Sequence, residues 1–156
     1  MKPSALHYAL HGFVDGHLVE LVDLWVAAWT KAMPAIGFEA RRVWFVDHFQ
    51  LLRDSGVAVT CAFDERNGEM AGFITFDPES GHIDQLAVAP KHWGSPAAGK
   101  LLIDAMTRAP GILRLEVNQD NPRAVRFYEK HGFHRRAAGI NPNSGLRTWH
   151  YEWTRR

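Results

Sequence analysis

Three apolar runs of strand length, Val57 to Asp64, Met70 to Asp77 and Ile83 to Val88, follow one another with only turn residues between them. The first connection, Glu65-Arg66-Asn67-Gly68, carries an Asn-Gly pair, whose tolerance of positive φ predicts a tight hairpin. The second, Asp77 to Gly81, is also a turn, so the three runs are predicted to form an antiparallel meander. Before it, a first strand is predicted over Ala5 to Leu10. A helix begins at Asp15, with Leu18, Leu21, Val22, Trp25, Ala28 and Trp29 at helical spacing, and is broken by Met33-Pro34. A second helix runs from about Glu39 to Asp54. After the meander the pattern alternates. A loop, Ala89 to Ser95, leads into a helix ending before Ala109-Pro110-Gly111. Leu113 to Val117 is a strand, and Asn121-Pro122 opens a helix with Asn as N-cap and Pro at its first position. Phe133 to Ile140 and Thr148 to Trp153 close the chain as a hairpin. The predicted order is β-α-α-β-β-β-α-β-α-β-β. It describes an α/β (α+β) domain over residues 1–156, a mixed, mostly antiparallel sheet of about six to seven strands flanked by four helices.

Composition removes several function classes. Lys plus Arg is 18 and Asp plus Glu is 17, a net charge of +1, which supplies no field for nucleic acid or an anionic membrane. A single cysteine, Cys61, excludes an intrachain disulfide, and its apolar surroundings predict a small buried thiol. The nine histidines show no H-E-x-x-H or paired Cys/His spacing, so no metal site is expected. The start lacks an apolar signal segment and no stretch approaches a membrane span, so a soluble, cytoplasmic protein is expected.

Two segments carry chemistry. In Val88-Ala89-Pro90-Lys91-His92-Trp93-Gly94-Ser95-Pro96-Ala97-Ala98-Gly99-Lys100-Leu101-Leu102, small residues cluster between a strand end and a helix start. Backbone N–H groups there can approach a phosphate or pyrophosphate, helped by the partial positive charge of the helix N-terminus. A plain strand-to-helix turn uses the same residues, so this segment alone leaves both readings open. Gly94 to Lys100 also mimics a P-loop, but Leu101 stands where Mg²⁺ binding needs Ser or Thr. The second segment runs from Leu115 to Phe133. Strand alternation places Glu116 and Asn118 on one face and Leu115 and Val117 on the other. Taken alone, Tyr128 reads as a core aromatic.

Together the two segments resemble the GNAT superfamily of N-acetyltransferases. Val88, Pro90, Gly94, Ala98, Leu101 and Leu102 match its acetyl-CoA pyrophosphate loop. Asn121, Ala124, Phe127, Tyr128, Lys130, Gly132 and Phe133 match its closing motif. The element order is also the family's order. Two positions depart: Trp93 replaces the usual Gln or Arg, and Pro96 replaces a glycine and removes one N–H.

The resemblance implies a GNAT-like fold that binds acetyl-CoA as co-substrate between two splayed parallel strands, His82 to Val88 and Leu113 to Val117. Leu86, Ala87 and Val88 would pair with the pantetheine arm. Trp93, Gly94, Ser95, Ala97, Ala98, Gly99 and Lys100 would hold the pyrophosphate, and Asn118, Asn121 and Tyr128 complete the cofactor-binding set. A primary amine of a small molecule, peptide or protein then attacks the thioester directly. Such an amine has a pKa of about 10.4 and needs a base. Glu116, twelve residues before Tyr128, ranks first, His82 second and Asp84 third. Tyr128 would protonate the departing thiolate. Acceptor walls are expected from Thr30 to Phe38, with Trp25, Trp29 and Phe38, and from Asn141 to Thr148, with Asn143. The competing reading is a non-catalytic acyl-CoA sensor, favoured by Trp93 and Pro96 and opposed by Tyr128 and Glu116. The edge of the last hairpin also suggests a homodimer.

Overall fold

A computed structural model describes residues 4–156; the first three residues of the expected domain lie outside that range. The elements are β1 (Tyr8–Gly12), α1 (Leu18–Ala32), α2 (Arg42–Asp54), β2 (Ala58–Asp64), β3 (Glu69–Phe76), β4 (Ile83–Val88), α3 (Ala97–Arg108), β5 (Ile112–Asn118), α4 (Pro122–Lys130), β6 (His134–Ile140) and β7 (Arg147–Thr154). Among the described residues this is the expected order. Three boundaries differ from expectation. Ala5–His7 is a 3₁₀ turn rather than strand, because the Ser4 N–H donates to His7 Nδ1 at 3.1 Å and closes the segment on itself. Asp15–His17 and Phe38–Arg41 are also 3₁₀ turns, and the α-helices start only after them.

The strands form two antiparallel sheets, ordered β1-β2-β3-β4 and β5-β7-β6. Their parallel meeting point among the described residues is one bridge, His82 with Arg114. The β2–β3 turn is wider than the Asn-Gly pair predicts. Only Gly68 has positive φ, at 75°, while the Asn67 side chain accepts the Glu69 N–H at 2.9 Å. Asp64 anchors the same turn by accepting the Arg66 backbone N–H and guanidinium.

Helices cover both faces of the four-stranded sheet. Leu21, Trp25 and Phe45 from α1 and α2 pack with Cys61, Phe73 and Ala87 on one side. On the other, Leu101, Leu102 and Ala105 of α3 pack with Ala62, Ile74, Leu113 and Tyr151, joining the two sheets through a shared core. Covered on both faces, β3 is buried from Met70 to Phe76, and its sequence lacks the alternation of a one-sided strand. β5 keeps that alternation, with Leu113, Leu115 and Val117 buried and Arg114 and Glu116 exposed. Cys61 is a fully buried free thiol. No described helix is long and apolar enough to cross a membrane.

Candidate active site

A cleft of about 510 Å³ opens where β4 and β5 diverge. Its closed end is pinned by the Arg114 N–H, which donates to Gly81 O at 2.9 Å. Gly81 has φ 77°, and a Cβ there would stand 2.0 Å from Ile112 O, so no side chain fits where the strands touch.

Backbone pairing fixes which groups of β4 face the cleft. The Ala89 N–H donates to Ala71 O, and the register continues through Phe73–Ala87, so the odd-numbered residues bond to β3. The N–H and C=O groups of Leu86 and Val88 therefore point toward β5. Val88 O is already taken by the Trp93 indole N–H at 2.8 Å. Leu86 offers both groups, and Val88 its N–H, to an extended ligand.

The loop after β4 is held from behind. The Tyr8 hydroxyl shares a 2.8 Å hydrogen bond with His92 Nδ1, and both residues are buried. The Lys100 ammonium donates to Ala5 O and Tyr8 O, which turns it away from the cleft. Within the loop the N–H groups of Trp93, Ser95 and Lys100 go to Pro90 O, His92 O and Pro96 O, and Ala97 donates to Ser95 Oγ. Pro96 has no N–H. Among the described residues, the amides of Gly94, Ala98 and Gly99 have no protein acceptor, and Gly94 and Ala98 line the cleft.

Ionisable groups gather toward the divergence of the strands. His82 Nε2 donates to Glu116 Oε2 at 2.7 Å, and His150 Nδ1 lies 3.8 Å from Glu116 Oε1. The hydrogen bond holds the Glu116 carboxyl below its usual range and raises the His82 imidazole. Asp84 Oδ2 accepts from His48 Nε2 at 2.7 Å and from Gln85 Nε2 at 2.9 Å. Burial presses the Asp84 carboxyl upward, but these two donors outweigh it and leave it lowered. Tyr128 lines the cleft from α4, and burial raises its phenol. Asn121 caps that helix by accepting the Ala124 N–H at 3.3 Å. The arrangement sets a phenol donor and a paired carboxylate–imidazole along one cleft whose far end offers free amides.

A model of the acetyltransferase (GNAT) family matches residues 14–133. The chain belongs to this family. It is similar to the peptidyl-lysine N-acetyltransferase YiaC of Escherichia coli, 28% identical over 87% of this chain and 90% of that protein. A PaiA N-acetyltransferase from Thermoplasma acidophilum, solved with coenzyme A, shares the fold at TM-score 0.78 and 16% identity, covering 94% of this chain and 98% of that one. YncA of Salmonella typhimurium, a putative acetyltransferase solved with acetyl-CoA, superposes at TM-score 0.63 and 16% identity, covering 95% and 94%. The mixed α+β fold expected from the resemblance is the fold found, and the chain is a GNAT acetyltransferase.

In this acetyltransferase the predicted site residues divide by position. Trp29, Asp84, Leu86, Ala87, Val88, Trp93, Gly94, Ser95, Ala98, Glu116, Asn121 and Tyr128 line the cleft. His82 reaches it through Glu116. Seven predicted residues lie elsewhere. Trp25 and Phe38 are core residues, because Trp25 stacks on Phe45 at 4.1 Å and Phe38 packs against Trp25 and Trp29. Ala97 is fully buried under the loop, Lys100 is committed to β1, and Asn143 sits in an exposed turn where its N–H donates to Asn141 Oδ1. Gly99 packs against His131, and Asn118 donates to Met33 Sδ. His48, His150, Tyr8, Lys31 and Arg123 carry no role in the sequence reading. Of these, Arg123 lies within the span of the closing motif, two residues after Asn121, which is the signal that could have found it.

Proposed function

We propose that the cleft binds acetyl-CoA and that the chain transfers its acetyl group to a primary amine, with a peptidyl lysine as the preferred acceptor. The observation that carries this reading is the Glu116–His82 pair set on the same divergent-strand cleft as Tyr128 and the free loop amides. A pure acyl-CoA sensor needs neither an acid nor a base at that place. The name of the relative YiaC supports lysine, and the carboxylates of Asp84 and Glu116 suit an approaching cation.

In this reading the Leu86 and Val88 backbone groups hold the pantetheine arm, and the Gly94 and Ala98 amides meet the pyrophosphate. The Glu116–His82 pair draws a proton from the ammonium, and the neutral nitrogen attacks the thioester carbonyl carbon. The C–S bond then breaks and the sulfur leaves as a thiolate. The nitrogen sheds its second proton as the amide forms; one proton ends on the sulfur as the CoA thiol, and the other passes through the pair to solvent. The Tyr128 phenol, raised by burial, keeps its proton throughout the working pH range. A thiol near pKa 8.5 is the stronger acid, so full transfer from the phenol runs uphill unless its proton is replaced. Tyr128 therefore acts by hydrogen-bonding to the developing thiolate, with the proton balance closed by the pair.

The test is CoA release with a lysine-containing peptide set beside small amines and α-amino peptides. Turnover highest on the lysine peptide is the expected result. Acetyl-CoA binding without turnover on any amine would favour the sensor reading instead. Cytoplasmic action and a homodimer joined along the β6 edge belong to the same proposal; cell fractionation and light scattering of the purified protein check them.

A further inference from the structure

The departure at Trp93 coincides with an unusual grouping of charge. The Trp93 indole is fixed by its bond to Val88 O, on the β4 side of the cleft. The Arg123 guanidinium, from the first turn of α4 on the opposite side, lies over the same ring, 4.0 Å from its centroid. Lys31, at the end of α1, stands 4.8 Å from that centroid. All three residues line the cleft, as does Arg126. Among the described residues, Lys31, Arg123 and Arg126 have no carboxylate partner, although seven other Lys or Arg ion pairs are formed. Burial and the neighbouring Arg126 both press against charge at Arg123, while an arginine stays protonated. An anion between these cations would relieve that pressure. The loop is meanwhile short of donors, since Pro96 has no N–H and the Trp93, Ser95 and Ala97 amides are occupied.

We propose that Trp93 is a positioning residue whose ring holds the Arg123 guanidinium across the cleft mouth, and that Arg123 contacts the pyrophosphate of the acyl-CoA co-substrate in place of a loop side chain. The contact is moved from the loop to α4, with the indole as its platform. A guanidinium stacked on an aromatic face loses little freedom when it meets a phosphate, because its plane is already set and its edge N–H groups remain free. Lys31 adds charge to the same mouth.

This rests on the acetyl-CoA reading, and calorimetric titration of the whole chain with CoA and with 3′-dephospho-CoA separates the two. No binding of CoA to wild type would remove the reading of the cleft and this proposal with it. With wild-type binding in hand, Arg123→Ala and Trp93→Ala should each raise Kd about tenfold on both ligands while kcat is kept. Their double variant should be no worse than the poorer single one, because the two act as a unit. Trp93→Phe keeps the platform and should lose less than Trp93→Ala. Trp93→Arg in the Arg123→Ala background should restore binding by returning a cation to the loop. An Arg123→Ala protein that binds within twofold of wild type overturns the proposal, as does full additivity of the two losses. A penalty seen with CoA but absent with dephospho-CoA overturns the pyrophosphate assignment.

Discussion

At the scale of single residues, the roles proposed for Tyr128 and for the Glu116–His82 pair separate by measurement. Tyr128→Phe should lower kcat roughly 10–10³-fold and leave the affinity for acetyl-CoA nearly unchanged, since the hydroxyl matters as the thiolate forms; steady-state kinetics with varied acetyl-CoA checks it. The Glu116–His82 pair predicts a pH limb. The pair works as a base only after losing its proton, and the hydrogen bond raises the imidazole above its ordinary 6.5, so activity should climb through a pKa above that value. Glu116→Gln removes the raising partner and moves the limb to lower pH. His82→Ala leaves a carboxyl as the base, released from its main lowering partner, and a carboxyl titrates below an imidazole, so the limb moves further down. A pH–rate profile of all three proteins reads the result, and an unmoved limb in both variants would mean that solvent takes the proton. The gathering of Tyr128, Glu116 and Asn121 at one cleft is legible in the sequence because they lie in one continuous segment. The residues that support Asp84 and the loop are not. His48 reaches Asp84 across 36 residues and Tyr8 reaches His92 across 84, and no local periodicity encodes such pairs.

The elements around the cleft depend on one close approach. Gly81 ends the β3–β4 turn with positive φ and with its Cα against Ile112 O. Gly81→Ala meets a clash that backbone has to absorb and a φ that L-residues disfavour, so a loss of about 2 kcal/mol or more is expected, from strain and from the broken Arg114 bridge. Urea denaturation measures it, and acetyl-CoA affinity should fall in parallel as the closed end of the cleft shifts. The same elements show which features of the sequence carry into the fold. The meander, the crossover and the capped α4 follow from turn residues and from Asn121-Pro122, which act locally. The onset of each helix is displaced by three residues, from Asp15 to Leu18 and from Glu39 to Arg42, because a 3₁₀ turn leads into each and start signals do not separate it from a first α-turn. Trp25 and Phe38, expected at the acceptor wall, lie in the core, a choice that helical spacing leaves open. An aromatic on a helix reads the same whether it faces another helix or a ligand, and here Phe45 occupies the stacking face of Trp25.

For the molecule as a whole, two sheets that share a core and, among the described residues, meet at one bridge form a V whose arms a ligand can join. Acetyl-CoA at about 100 times Kd should stabilise the chain by roughly 2.7 kcal/mol and raise its melting temperature by roughly 5–10 °C; differential scanning fluorimetry checks the shift, and hydrogen exchange should slow in β4 and β5 together. Charge balance and length are read from the sequence without error, but the distribution of charge within the cleft is not. The cations at its mouth and the carboxylates at its other part come from α1, β4, β5 and α4, brought together by folding. The burial of Cys61 bears on how all of this is measured. Each acyl transfer frees one thiol, and a colorimetric disulfide reagent counts thiols through their thiolates. Burial, with a smaller contribution from Glu20, pushes the Cys61 thiol up to about 12, and its sulfur has no exposed surface. The folded enzyme should therefore be silent to the dye, so that colour records turnover alone, and one extra equivalent should develop only when guanidinium opens the core. In the absence of acceptor, any slow drift in the blank is then a clock for unfolding, timed by the same reagent that counts product.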